Sequence, residues 1–201
     1  MIALIDYGAG NLTSVRKALS ALGSQFFTPS DPSACASAAG LIVPGVGNFA
    51  ATAALEGAWR DAIAAAAGRG IPLLGICLGM QWLFEGSDEA PEVLGLRALP
   101  GRIVRLSGDS VQRAKVPHVG WNALDRSQRS SRLLHGVPEG GQVYFTHSYA
   151  APVTPDAVAV TTHAGPFASA VERDNVFGVQ FHPEKSSDVG LRILRNFLDT
   201  C

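Results

Sequence analysis

A cysteine between two glycines is the feature of this sequence that most suggests chemistry. Cys77 lies in the apolar run "IPLLGICLGMQ" (71–81), with Gly75 two positions before it and Gly79 two positions after it. An unpaired cysteine in apolar sequence is most often a packed core residue. The glycines favour a second interpretation, a nucleophile on a sharp strand-to-helix turn like the G-x-S-x-G elbow, with cysteine in place of serine. The helix N-terminus would then stabilise a thiolate, and the glycines would be required because no side chain fits beside the bend.

A thiolate nucleophile needs a proton carrier, and His182 is the histidine best placed for that role. It follows an apolar, strand-like run in "VFGVQFHPEKS" (176–186), with proline and glutamate next in the chain. Strand periodicity predicts that His182 and Glu184 point to the same side, so that Glu184 could orient the imidazole. An isolated His-Pro-Glu is also typical of a surface turn. The other histidines are interpreted as a loop residue, a turn residue and two structural residues in apolar strands, namely His135, His163, His118 and His147.

Short apolar runs that alternate with helical patterns must position these residues. The runs "IALID" (2–6), "GLIVPG" (40–45) and "IPLLGIC" (71–77) are typical of strands buried on both faces. Helical patterns follow them at 13–22, 55–70 and 78–86. Three such units predict an α/β fold, with an open, mostly parallel, flavodoxin-like sheet and helices on both faces. Ligands bind at the carboxyl edge of such a sheet, which is where Cys77 is expected.

From Gly101 the pattern changes to short strands separated by turns. The runs "GRIVRL", "VPHVGW", "QVYFTHSY", "AVAVTTH", "ASAVE" and "VFGVQF" predict an antiparallel extension. A last helix is predicted with Asp188 as its N-cap and with an apolar face of Leu191, Leu194, Phe197 and Leu198. The polar segments 107–115 and 125–132 are predicted to be mobile. Since no internal repeat or linker is found, residues 1–201 are expected to form one domain.

Composition narrows the classes of function. The chain has 201 residues, 47% of them hydrophobic and 16% charged, which is typical of a globular protein. The net charge of −1 and the absence of a long Lys/Arg run argue against nucleic acid as a partner. We expect no signal peptide and no membrane span, because no apolar segment approaches the ~20 residues that a bilayer requires. Three widely spaced cysteines predict neither a disulfide framework nor a zinc site, and they favour a cytoplasmic location.

The two catalytic motifs together resemble a known signature. "GICLGMQ" (75–81) and "GVQFHPEKS" (178–186) are similar to the motifs of class I, or triad, glutamine amidotransferases. The runs "IALIDYGAGNLTSV" (2–15), "LIVPGVGNF" (41–49), "PHVGWN" (117–122) and "YFTHSYA" (144–150) narrow the resemblance to the glutaminase subunits of imidazole glycerol phosphate synthase. The resemblance extends from the first strand to the last helix.

The resemblance implies a role for each matching residue. Cys77 would attack the side-chain carboxamide of glutamine and form a glutamyl thioester. His182 would protonate the departing ammonia and later activate water, and Glu184 would hold the imidazole. The oxyanion would be met by the backbone N–H groups of Leu78 and Val46.

The resemblance also implies a substrate pocket and a partner. Glutamine-binding positions would be Gly47, Gln81, Ser148 and Tyr149. The partner would be a cyclase subunit of (β/α)8 architecture, in a heterodimer that makes imidazole glycerol phosphate and aminoimidazole carboxamide ribotide for histidine biosynthesis. Residues expected to face it are Asn11, Trp121, Tyr144 and Lys185, although Trp121 could equally be a core residue. No cofactor or metal is implied.

The "PGVG" segment (44–47) suggests how the activity could be controlled. Glycines on both sides of Val46 let a peptide plane rotate at low cost, so the Val46 N–H could point into the pocket or away from it. We expect the unpartnered chain to hold this donor away, so that docking of the synthase partner would turn it in.

Two other functions remain open from the sequence. One is a glutaminase that supplies pyridoxal phosphate, anthranilate or nucleotide synthesis, which "YGAGN" and "PHVGWN" disfavour. The other is a non-enzymatic, flavodoxin-like redox sensor, in which His182, Glu184 and Gln81 would have no purpose. An α/β-hydrolase is disfavoured because its catalytic acid would precede the histidine.

Overall fold

The computed structural model of the chain describes residues 1–107, 114–127 and 130–201. The prediction that segments 107–115 and 125–132 are mobile includes positions 108–113 and 128–129, which lie outside the described residues.

The elements follow one another closely along the chain. The strands are β1 (Ile2–Leu4), β2 (Phe26–Phe27), β3 (Gly40–Gly45), β4 (Leu73–Cys77), β5 (Gly86–Ser87), β6 (Ala90–Leu94), β7 (Val104–Arg105), β8 (His118–Arg126), β9 (Gly141–His147), β10 (Tyr149–Ala150), β11 (Ala157–Thr162), β12 (Pro166–Arg173) and β13 (Val176–Val179). The α-helices are α1 (Leu12–Ala21), α2 (Ala58–Gly68), α3 (Leu78–Trp82) and α4 (Ser187–Leu198). Short 3-10 helices span Pro32–Ser37, Phe49–Leu55 and Pro183–Lys185.

Within the described ranges, nine strands form one sheet in the order β2-β1-β3-β4-β13-β12-β11-β8-β9. The first five strands are parallel. The pairs from β13 to β9 are antiparallel. This arrangement confirms the predicted α/β fold with an antiparallel extension.

One predicted strand belongs to a different part of the sheet. "VFGVQF" was assigned to the antiparallel extension, but β13 pairs in parallel with β4, with Gly178 beside Gly75. Its other neighbour, β12, is antiparallel, so β13 joins the two halves of the sheet. A short apolar run that is buried on both faces carries no information about the direction of its neighbours, which is why the pattern misplaced it.

Helices cover both faces of the sheet, because alternate residues of the central strands enter different cores. On β4, Leu74 packs in the core that contains Leu19 of α1 and Phe197 of α4. Its neighbour Leu73 packs in the core that contains Ile63 of α2. No helix in the described part of the chain is long and apolar enough to cross a membrane.

Two helix boundaries near the predicted catalytic residues differ from the predictions. The helix expected over 78–86 ends at Trp82, and Gly86 begins a strand that pairs with β6. The last helix begins at Ser187 with Ser186 at the N-cap position, so the assignment of Asp188 as the N-cap was wrong. The Ser186 hydroxyl donates to the His182 carbonyl at 2.6 Å, which ties the start of this helix to the preceding turn. The apolar face is as expected: Leu194 and Phe197 are buried, and Leu191 and Leu198 pack beside them.

Candidate active site

Cys77 occupies a sharp turn between a strand and a helix, as the sequence predicted. It is the last residue of β4, and Leu78 is the first residue of α3. Its backbone has φ 53° and ψ −108°, a conformation that costs energy for a residue with a side chain. The glycines around it are steric requirements. A Cβ at Gly75 would lie 2.6 Å from the Gly79 carbonyl oxygen, and a Cβ at Gly79 would lie 1.7 Å from the Val43 carbonyl oxygen.

His182 and Glu184 form a buried pair. The imidazole Nδ1 lies 2.9 Å from the Glu184 Oε1, and the two side chains are only 2% and 1% exposed. The reason given for this contact was wrong, because the strand ends at Val179 and Glu184 lies in the 3-10 helix Pro183–Lys185. The Lys185 N–H donates to the His182 carbonyl and closes that turn. The turn, rather than strand alternation, brings the two side chains together.

The electrostatics of His182 tie it to Cys77. Burial acts to lower the pKa of His182, but hydrogen bonding and charge from Cys77 and Glu184 outweigh it and raise that pKa to about 10. Since Glu184 occupies Nδ1, the Nε2 atom is the one that can serve the thiol. Nε2 is buried and makes no hydrogen bond of ordinary geometry to any described residue, so it is free to serve the thiol. A buried, protonated imidazole that acts on a cysteine is the arrangement that a cysteine nucleophile requires.

Tyr7 also acts on Cys77, and sequence reasoning gave it no role. Burial, followed by the charge of Cys77, raises the pKa of Tyr7, so its phenol remains neutral. The hydroxyl is buried and makes no hydrogen bond within the described ranges. It fills the space above Gly45, where a Cβ would approach it to 2.1 Å.

A cavity of about 270 Å³ opens beside Cys77. Around it the structure brings together all of the predicted oxyanion and glutamine-binding residues, namely Val46, Gly47, Leu78, Gln81, Ser148 and Tyr149. Glu89, Pro117, Thr146 and His147 complete the lining. Cys77 therefore faces a space that can hold a small polar molecule.

The Val46 N–H points away from this cavity. It donates to the Ala9 carbonyl at 2.7 Å, across the segment that precedes α1. Gly47 has φ +98°, a conformation that glycine adopts without strain. This is the orientation that we expected for the unpartnered chain. The Leu78 N–H is at the first position of α3, directly after Cys77.

Gln81 is held by two acceptors. Its Nε2 donates to the Tyr149 carbonyl at 2.9 Å and to the Gln180 Oε1 at 3.1 Å. Both amide hydrogens are thus used, which leaves the Gln81 carbonyl oxygen for a ligand. Gln180 in turn donates from Nε2 to the Cys77 Sγ at 3.6 Å. Sequence reasoning missed Gln180, although a glutamine inside a buried strand-like run was a signal.

Glu89 is a second residue that sequence reasoning missed. It lies between β5 and β6, and its Oε2 accepts a hydrogen bond from the Phe49 N–H at 2.8 Å. This bond fixes a carboxylate in the wall of the cavity. A carboxylate there can pair with an ammonium group of a ligand. No local sequence pattern marked this position.

His118 and His147, which lines the cavity, form a neutral pair, as expected for hydrogen-bonded structural histidines. The His118 Nδ1 lies 3.0 Å from the His147 Nε2. Burial above all, with the other imidazoles, lowers the pKa of His118 to about 3. Burial also lowers the pKa of His147 to about 4, against a hydrogen bond to the Tyr149 carbonyl that raises it. Neither imidazole is charged at pH 7.

The four residues predicted to face a partner lie in different settings. Trp121 is 53% exposed and so is not a core residue. It pairs across β8 and β9 with Tyr144, with the ring centroids 6.1 Å apart. Lys185 is exposed. The Asn11 side chain caps α1 by accepting from the Ser14 N–H at 3.4 Å.

Known proteins resemble this chain over nearly its whole length. The family model described as glutamine amidotransferase class-I matches residues 3–201. A curated protein from Moorella thermoacetica, named imidazole glycerol phosphate synthase subunit HisH, is 48% identical over 98% of this chain and 93% of its own length. Proteins of the same name from Syntrophotalea carbinolica and Thermococcus kodakarensis are each 45% identical. The first alignment covers 99% of this chain and 100% of the relative, and the second covers 98% of each.

Solved structures show the same fold at low sequence identity. A crystal structure of a glutamine amidotransferase is 19% identical with a TM-score of 0.77, and the alignment covers 99% of this chain and 97% of that one. The glutaminase domain of the Trypanosoma brucei CTPS, solved with bound acivicin, is 18% identical with a TM-score of 0.67. That alignment covers 98% of this chain and 93% of that one.

Proposed function

The chain belongs to the class-I glutamine amidotransferase family, and from that membership and the geometry of its site we propose that it is the glutaminase subunit of an imidazole glycerol phosphate synthase. The relatives with that name match nearly the whole chain, which supports this synthase over other ammonia-using ones. The single observation that carries the proposal is the elbow nucleophile Cys77, which faces a small polar cavity and interacts with the buried His182–Glu184 pair.

The proposed reaction uses these groups in sequence. The Cys77 thiolate attacks the carboxamide carbon of glutamine. The tetrahedral intermediate collapses to a glutamyl thioester, and His182 gives its proton to the departing ammonia. His182 then takes a proton from water, and the resulting hydroxide attacks the thioester carbonyl. The C–S bond breaks, which releases glutamate and restores the Cys77 thiolate with protonated His182. Glu184 holds the imidazole in the required tautomer through the Nδ1 contact.

Backbone donors would stabilise the oxyanion. Leu78 N–H is already beside the nucleophile, whereas Val46 N–H is bonded to the Ala9 carbonyl and must rotate to contribute. One such donor is worth about 3 kcal/mol of transition-state stabilisation, or about a hundredfold in rate. The unpartnered chain is therefore proposed to be nearly idle. A glutaminase assay with and without the partner tests this, and equal rates would contradict it.

The residues around the cavity would orient glutamine. The Glu89 carboxylate suits the α-ammonium group, and the free carbonyl oxygen of Gln81 can accept a further hydrogen bond. Gly47, Ser148 and Tyr149 are proposed to bind the remaining polar groups through their backbones.

The ammonia must reach a partner before it is protonated, because ammonium is not a nucleophile. We assign this partner as a cyclase subunit of (β/α)8 architecture in a cytoplasmic heterodimer, making imidazole glycerol phosphate and aminoimidazole carboxamide ribotide for histidine biosynthesis. The exposed Trp121 with its neighbour Val119 (58% exposed), together with Tyr144, Lys185 and Asn11, would lie toward the partner. Exposed aromatic residues of this kind are typical of interfaces.

The substitution Cys77→Ala tests the proposal. With the cyclase subunit present, it should abolish glutamine-dependent synthesis and leave synthesis from added ammonium salts unchanged. Cys201→Ser is the matched control, because this exposed cysteine lies away from the cavity, and both activities should persist. Loss of both activities in Cys77→Ala would mean that the cysteine is structural, and retained glutamine use would exclude it as the nucleophile.

A further inference from the structure

Gln180, outside the triad, holds its amide against the nucleophilic sulfur. Its Nε2 donates to the Cys77 Sγ at 3.6 Å, and the residue is fully buried. Gln180 directly follows β13, and its own backbone N–H is fixed by the Ser169 carbonyl of β12 at 3.0 Å. The amide therefore reaches the sulfur from a rigid part of the sheet.

The direction of this hydrogen bond is fixed by a chain of partners. The Tyr149 carbonyl can only accept, so the nitrogen of Gln81 must face it. The second hydrogen of that nitrogen is donated to the Gln180 Oε1. The Gln180 nitrogen is then the atom that faces Cys77, and it acts as a donor.

The same carbonyl anchors the chain to β8. Tyr149 O accepts from the His147 Nδ1 at 2.9 Å, which leaves the His147 Nε2 to accept from His118. The His118 Nε2 accepts from the Asn122 amide at 3.3 Å. Each donor or acceptor role follows from the neighbouring one, because a neutral imidazole has one nitrogen that donates and one that accepts. Buried polar groups are costly unless they are bonded in this way, so an apolar residue would be expected at 180 if packing were its only role.

We propose that Gln180 is a positioning residue that donates a hydrogen bond to the Cys77 sulfur, favours its thiolate and holds it toward the cavity. An N–H donor stabilises an anionic acceptor more than a neutral one. The inference rests on the proposed glutaminase function, because that function requires Cys77 to act as a thiolate nucleophile. Other titratable groups also act on the sulfur: Tyr7 and His182 face it, and Glu184 and His147 act through His182.

The test is the pH dependence of Cys77 alkylation in the full chain. Iodoacetamide is used as the probe, and the rate at Cys77 is read from its peptide by mass spectrometry. Gln180→Met keeps the length of the side chain and removes the donor. The midpoint of its alkylation profile should rise by about one pH unit, which is about a tenfold slower reaction at neutral pH. An unchanged midpoint in the folded variant overturns the inference.

Control variants separate positioning from a general loss of structure. Ser169→Ala removes a buried hydroxyl that has no partner in the described residues, and it leaves the amide–sulfur contact intact, so its profile should match the wild type. If urea unfolding shows that Gln180→Met does not fold, Gln180→Leu is measured in its place, with the same expected shift.

Kinetics in the assembled synthase give a second readout. Gln180→Met should lower kcat for glutamine hydrolysis about tenfold, a larger effect than its effect on KM, because Gln81 keeps its bond to the Tyr149 carbonyl whereas the sulfur loses the Gln180 donor. A raised KM with an unchanged kcat would overturn the inference. If a glutamine-mimicking electrophile fails to label Cys77 in the assembled wild-type synthase, the proposed function fails, while the alkylation midpoint still decides the role of Gln180.

Discussion

Gly79→Ala tests the packing that creates the elbow. The added Cβ would lie 1.7 Å from the carbonyl oxygen and 2.7 Å from the carbonyl carbon of Val43, where ordinary contacts begin at 3.4 Å. Both atoms belong to the backbone of β3 in the centre of the sheet, and β3 is paired with β4 over five residues from Leu41–Leu73 to Gly45–Cys77. A rotamer change cannot relieve this overlap, so β3 and α3 must separate.

The expected loss of stability is about 3 kcal/mol or more, at the upper end of the cost of overpacking a core. Urea unfolding followed by far-ultraviolet circular dichroism measures it as a fall in the midpoint concentration at constant slope. The same displacement should lower glutaminase activity, since it moves the strand that carries "PGVG" relative to the nucleophile.

Gly68→Ala is the matched control. Gly68 is the last residue of α2, no atom lies within 4 Å of the Cβ it would gain, and its φ is not in the left-handed region. Alanine there should stabilise the chain by up to about 0.5–1 kcal/mol. If Gly79→Ala unfolds at the same urea concentration as Gly68→Ala, the steric account of the elbow is wrong.

Three further predictions concern the charged groups of the site. Glu184→Ala should retain about ten times more glutamine-dependent activity than His182→Ala, because Glu184 only orients the imidazole. The reverse order in steady-state assays would refute that assignment. The pKa of His147 is depressed to about 4 from 6.5, so its contribution of about 3 kcal/mol is present above pH 6.5 and is lost as the pH falls through 4. Urea unfolding between pH 7 and pH 4 should therefore show a steep loss of stability that is shallower in His147→Gln, and equal slopes would contradict this. Glu89→Gln should raise KM for glutamine about tenfold with little change in kcat, and an unchanged KM would remove Glu89 from substrate binding.

The elbow could be predicted from the sequence because its determinants are local. A buried strand, a helix start and two glycines within five positions fix the turn without reference to the rest of the chain. The His182–Glu184 contact was also predicted, although a 3-10 turn rather than a continuing strand produces it. Residues two apart can meet in either conformation, which is why the correct contact followed from the wrong local structure.

The other parts of the site depend on tertiary pairing. Gln180 reaches Cys77 because β13 lies beside β4, and the sequence had assigned β13 to the extension. Glu89 reaches the cavity because the β5–β6 hairpin packs against Phe49, forty residues earlier in the chain. The hydrophobic periodicity of β13 or of the β5–β6 hairpin does not show which distant part of the chain packs against it.

The helix N-cap at the C-terminal end was missed for a related reason. Asp188 and Ser186 are both suitable cap residues by type. The turn that carries Glu184 fixes where the helix begins, and it places Ser186 rather than Asp188 at the boundary. The residue preferences of N-cap positions predicted the correct type of residue, but the turn that carries Glu184 determines which of the two occupies the N-cap.

The most direct test of the central claim is to trap the covalent intermediate on Cys77. The assembled synthase is supplied with isotopically labelled glutamine, quenched in acid during turnover, digested and analysed by peptide mass spectrometry. The account predicts a labelled glutamyl group on the peptide that contains Cys77 and none in Cys77→Ala. Glutamine hydrolysis at the full rate with no adduct on that peptide would contradict the account. Glutamine hydrolysis that persists in Cys77→Ala would contradict it as well.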